Sequence, residues 1–111
     1  MNTIEYLDAA KRQLSLSSDY QLAKRLGMSL SAMSSYRTGR RVFDDEAALT
    51  VAMALNLNPM QVIAAANAER SKTPEQKARW TGLMEKFSGS FRNRLSNWDG
   101  RERRQEARYA H

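Results

Sequence analysis

The chain has no cysteine. Disulfides, thiolate metal sites, thiol nucleophiles and cysteine-held iron–sulfur clusters are therefore excluded. Histidine occurs once, as His111, so neither a histidine-ligated metal nor a catalytic histidine in a pocket is expected. Two prolines and five glycines among 111 residues leave few breaks in a chain dominated by helix formers. Long apolar runs are missing too. The longest, Ala47–Leu55, is far shorter than the roughly 20 residues a membrane span needs. Met1–Tyr6 shows no basic region leading into an apolar core, so no signal peptide is expected. With cysteine absent as well, the expectation is a cytoplasmic protein with no membrane partner. No Ser/His/Asp set, Gly-rich phosphate loop or paired histidine ligands occur, so neither an enzyme nor a bound cofactor is expected.

What is present is basic and helical. Eighteen Lys and Arg against twelve Asp and Glu give a net charge of +6, an excess that favours polyanionic partners. The apolar residues recur at helical spacing, and nothing alternates as a strand would, so the expected class is all-α. Cap residues mark the helix starts. Asn2 with Glu5 forms a capping box opening a helix to about Leu14, with Ile4, Leu7, Ala10 and Leu14 on one side. Ser18 opens a short helix to Leu26, ended by Gly27. Ser29 opens a third, which carries Met33 and Tyr36 inward and stops near Gly39. Asp44 or Asp45 opens a fourth through Leu55, with Ala48, Val51, Ala52 and Leu55 as its buried stripe. The run Asp44-Asp45-Glu46 invites a metal reading, but capping and the helix dipole explain it better, and no metal is expected. Asn58-Pro59 opens a fifth helix, and Thr73-Pro74-Glu75-Gln76 opens a sixth to about Phe87. The methionines Met28, Met33, Met53, Met60 and Met84 read as core filler.

Charge divides the chain. Residues 1–72 hold nine basic and seven acidic side chains, net +2, whereas 73–111 hold nine and five, net +4. The expected organisation is a domain over 1–72, a helical dimerisation segment over 73–98, and a basic tail over 99–111. Trp80, Leu83, Met84 and Phe87 form an apolar stripe on the sixth helix, extended in sequence by Phe91, Leu95 and Trp98. This stripe could fold back onto the domain or pack against a second copy, and a homodimer interface is the expectation adopted. Gly82 within it weakens the helix by ~1 kcal/mol, which also favours partner packing. Asn93, Asn97 and Asp99 interrupt the later apolar positions, so a membrane-surface role is not expected.

The stretch that carries chemistry runs from Asp19 to Arg41. Two short helices joined at Gly27, with small Ala23 at their crossing and Leu22, Leu26, Met33 and Tyr36 spaced for one shared core, make a helix-turn-helix. Leu30, Ser31, Ser34 and Ser35 project from the other side of the second helix and are short enough for close approach to base edges. Arg37, Arg40 and Arg41 gather at its end, where phosphates would lie. Lys24 and Arg25 flank the groove from the preceding helix, a placement that serves phosphate contact and plain solubility equally.

At these positions the sequence resembles the lambda-repressor/Cro-like (XRE-type) helix-turn-helix family. The residues concerned are Leu22-Ala23, Leu26-Gly27-Met28-Ser29, Met33, Tyr36 and Gly39-Arg40-Arg41, followed by the Ala48–Leu55 helix, the Asn56-Leu57-Asn58-Pro59 turn and Val62-Ile63. The likeness covers roughly residues 3–71 and looks closest to the small repressors of filamentous phages and prophages. It implies a five-helix DNA-binding domain, operator DNA as partner, a homodimer, and transcriptional repression. Ser29, Leu30, Ser31 and Ser35 occupy the family's base-facing slots; Thr38, Arg40 and Arg41 occupy backbone-contacting ones. Leu30 stands where the family often has Gln, and Arg37 where Glu is common. A different function class stays open alongside this: an antitoxin-like regulator whose C-terminal tail, from about Phe91, engages a partner protein.

Overall fold

The computed structural model describes residues 1–88, all helices and connections with no strand among them. Five helices are α1 (Thr3–Gln13), α2 (Asp19–Leu26), α3 (Leu30–Arg37), α4 (Asp45–Leu55) and α5 (Pro59–Arg70). A sixth, α6, covers 74–88. Phe91, Leu95, Trp98 and the segment 99–111 lie outside the described residues.

Each helix begins where a side chain can satisfy an orphan backbone N–H. The Asn2 side chain accepts from Glu5 N–H while the Glu5 carboxylate accepts from Asn2 N–H, a complete capping box. Ser18, Ser29 and Asp44 accept from Gln21, Ala32 and Ala47 respectively. Asn58 accepts from Met60 ahead of Pro59, and the Thr73 hydroxyl accepts from Gln76 N–H at the start of α6. Gly27 ends α2 at φ 69°, a left-handed conformation that glycine adopts without a Cβ penalty. There the N–H groups of Gly27 and Met28 bond back to the freed carbonyls of Lys24 and Ala23.

α4 is the hub, packing on α1, α2 and α5, while α1, α2 and α3 pack on one another. Leu7, Leu22, Ala48, Val51, Ala52 and Val62 are fully inaccessible at its centre. Tyr6, Phe43 and Thr3 are among the buried residues that fall outside the apolar stripes expected from sequence. Tyr6 lies inside α1 and accepts a hydrogen bond from Gln61 at 3.4 Å. Phe43 comes from the α3–α4 connection and sets its ring edge-on to Tyr36, 5.1 Å between centroids. Thr3 is buried with both polar groups used: its N–H and hydroxyl donate to Glu69, each at 2.9 Å.

The structure corrects several expected core positions. Ile4 is exposed, because α1 turns Thr3, Tyr6 and Leu7 inward instead. Met53 is 71% exposed and Met60 37%, so neither fills the core. Met84, expected both as core filler and at a dimer interface, is half-buried and packs against the domain's own core. Trp80, Leu83 and Phe87 are half-buried. Trp80 and Leu83 line a cleft of about 510 Å³ with Asn67 and Arg70 of α5, which places this part of α6 beside its own domain.

Candidate nucleic-acid interface

The outward surface of α3 follows from what its inward surface must do. Met33 and Tyr36 are buried, three residues apart, so the residues about half a turn away face solvent. Leu30 is 54% exposed. Ser29, Ser31 and Ser34 are exposed too, while Ser35 is half-buried. The result is a helix surface with hydroxyls and one leucine and no long polar side chain. Ser29 is also the N-cap, its Oγ accepting from Ala32 N–H at 3.0 Å, which leaves its O–H and one lone pair for an outward contact.

The end of α3 is organised by one atom. The Ser35 carbonyl accepts from Arg40 N–H at 3.0 Å, from Arg41 N–H at 3.2 Å and from the Thr38 hydroxyl at 3.3 Å. Gly39, at φ 78°, makes the tight reversal that brings those donors back. The far end of this connection is pinned as well: Phe43 N–H donates to the Thr3 hydroxyl, and the Arg70 guanidinium donates to the Phe43 carbonyl. Arg40 and Arg41 thus sit exposed on a loop whose backbone is fixed at both ends. The Arg41 guanidinium lies 5.4 Å from the Tyr36 ring centre, which holds it without neutralising it. Its pair with Asp44 is long, 3.6 Å, and half-exposed, an arrangement worth little in water. On α2, Lys24 sits 5.0 Å over the exposed Tyr20 ring, held in the same manner.

Arg37 is placed differently from the expectation that grouped it with Arg40 and Arg41. Its guanidinium donates to Asp8 of α1 at 2.6 Å and to Asp19 of α2 at 2.9 Å. Lys11 reaches the same Asp19 oxygen at 3.4 Å. Burial works against the Arg37 charge, but the two carboxylates outweigh it and raise its proton affinity. Burial likewise pushes the Asp19 carboxyl up, but the hydrogen bond and charge of Arg37, with help from Lys11, hold it below the usual carboxylate range. Arg37 therefore fastens three helices together, and its charge is already balanced by two carboxylates. Sequence reasoning missed this because Asp8 lies 29 residues and Asp19 lies 18 residues upstream.

Among the described residues, no helix is long and apolar enough to cross a membrane, and no three Asp, Glu, His or Cys side chains gather in a way that could hold a metal ion. Asp44, the first of the acidic run, is the N-cap of α4. Compared with protein-family models, with curated proteins and with solved structures, the chain has no match.

Proposed function

We propose that the chain is a sequence-specific, double-stranded-DNA-binding transcriptional repressor of the lambda-repressor-like, phage or prophage type, acting in the cytoplasm by occupancy and without a catalytic step. The observation that carries this reading is the α2–α3 pair. α3 presents a surface of short side chains, and Arg40, Arg41, Lys24 and Arg25 stand exposed around it. A helix stripped of long side chains approaches base edges closely, and flanking cations supply the salt-dependent phosphate affinity. In this arrangement α3 lies in the major groove, Ser29, Leu30, Ser31, Ser34 and Ser35 face bases, and Thr38, Arg40 and Arg41 meet the backbone.

Repression from an inverted-repeat operator requires two copies. Trp80, Leu83 and Phe87 retain half-exposed apolar surface on α6, and that is where the second copy is proposed to pack. Trp80→Ala is expected to shift the protein toward monomer in sedimentation; an unchanged dimer places the interface elsewhere.

Selection of bound sites from a random duplex library tests the whole reading. One enriched inverted repeat, its half-sites roughly 10 bp apart, is the expected result. Salt-sensitive binding without any enriched sequence removes the base-reading role of α3.

A further inference from the structure

The side chains that could read a base pair from α3 are unusually few, and the structure removes more of them than the sequence does. Bidentate recognition of guanine needs Arg or Lys, and bidentate recognition of adenine needs Asn or Gln. Arg37 is the sole such residue on α3, and Asp8 and Asp19 hold it at 2.6 and 2.9 Å. The Ser29 oxygen already accepts from Ala32 N–H, which leaves it one lone pair and its O–H. The others, Ser31, Ser34 and half-buried Ser35, are hydroxyls too, and a hydroxyl both donates and accepts, so it distinguishes base edges poorly. The one side chain on this surface with reach is Leu30, apolar and 54% exposed, in the first turn of α3. The first turn of a recognition helix is the part that meets base edges, and the one apolar feature of the major groove is a pyrimidine C5-methyl.

We infer that Leu30 reads a pyrimidine C5-methyl group, thymine in unmethylated DNA, and that this contact is the main direct base readout of the protein. The inference rests on the DNA-binding function proposed above and specifies what that function recognises. Uracil and cytosine present the same polar edges as thymine and 5-methylcytosine and differ only by the methyl. Leu30 therefore couples to the methyl and to nothing else on the base.

The experiment uses the full chain and the duplex enriched by selection. Each thymine of the half-site is replaced in turn by deoxyuridine, and each cytosine by 5-methylcytosine, with parent protein and with Leu30→Ala. Leu30 is a surface residue, and circular dichroism confirms that the variant is folded. At one position per half-site, loss of the methyl is expected to weaken parent binding about fourfold, the value of one buried methyl-sized group. Leu30→Ala is expected to bind the methylated and unmethylated forms of that position equally. Coupling at a thymine identifies thymine as the source of the methyl; coupling confined to 5-methylcytosine identifies a methylation-dependent reader instead. A selectively bound duplex with no methyl effect that depends on Leu30 overturns the inference and leaves the DNA-binding reading standing. No selectively bound duplex at all overturns both.

Discussion

Arg37 and Arg40 are three residues apart and carry the same side chain, yet the structure gives them opposite surroundings. Arg37 points back across the helices and is held by Asp8 and Asp19. Arg40 leaves α3 at the Gly39 reversal and stands in solvent beside Arg41. A cation already matched by two carboxylates offers little to a phosphate, whereas one in water keeps its full attraction. Counting basic residues near a helix end thus overstates the charge available to a polyanion. The count has to be corrected for the carboxylates that the fold brings in from elsewhere.

The sharpest way to break this contrast is Arg37→Met. The substitution removes two charge-assisted hydrogen bonds, leaving Asp8 without its cation and Asp19 with only the longer Lys11 pair at 3.4 Å. Both carboxylates are more than a third exposed, so solvent screening discounts the loss to about 1–2 kcal/mol. Thermal unfolding is expected roughly 5–15 °C lower, with the salt dependence of DNA binding per folded molecule unchanged. A flattened salt dependence at unaltered stability would return Arg37 to the phosphate-contacting set.

The complementary change is Arg40→Ala with Arg41→Ala. Binding to all duplexes is expected to weaken, and the slope of log affinity against log salt to fall by about 1.8, the value of two phosphate contacts. Stability is expected to hold within about 0.5 kcal/mol, since only the Tyr36 stacking and the weak Asp44 pair are lost. Equal salt slopes for variant and parent would take both arginines off the backbone.

Acid gives the smallest and most selective effect. The Asp19 carboxyl has a lower pKa folded than unfolded. Its contribution is therefore complete above the unfolded carboxylate value of about 3.9 and is lost as pH falls through the lower folded value. The melting temperature is expected to decline below about pH 4 in the parent and in the Arg40/Arg41 variant, and less steeply in Arg37→Met. Parallel pH profiles for all three proteins would show that the Arg37 pairing contributes nothing to acid stability.

How much of this was legible in the sequence depends on the range of each interaction. The caps Asn2, Ser18, Gly27, Ser29, Asn58 and Thr73 could all be read, and Asp44 as one of two candidates beside Asp45, because a cap is a bond within two to four residues. The α2–α3 pairing was legible for a similar reason: Leu22, Ala23, Met33 and Tyr36 lie on one short stretch, and all are buried. What failed depended on distant neighbours. Phe43 sits in a connection, where no periodic signal exists, and is buried by Tyr36 and by backbone ties to Thr3 and Arg70. Met53 and Met60 have core-like chemistry but face outward: α4 buries its Ala48, Val51 and Ala52 side, and the first turn of α5 buries Gln61 and Val62 instead of Met60. Of the proposed base-facing and backbone-facing sets, the exposure of Leu30, Ser31 and Ser34 could be read from helical spacing and that of Arg40 and Arg41 from their place past the helix end; Thr38 was placed by the family resemblance, and the partners of Arg37 could not be read.

The Ser35 carbonyl has a consequence for the energetics of assembly. It ties the backbones of Arg40 and Arg41 to the last turn of α3, and the anchoring of Phe43 holds the same loop from the other side. The separation between a base contacted by α3 and a phosphate contacted by the loop is therefore set when the chain folds. On the proposed reading, the ordering entropy of that spacing is lost during folding and not again on DNA. On that reading the protein would meet a duplex with the backbone of its recognition helix and of its cationic loop already held at a fixed spacing, as a gauge meets a groove.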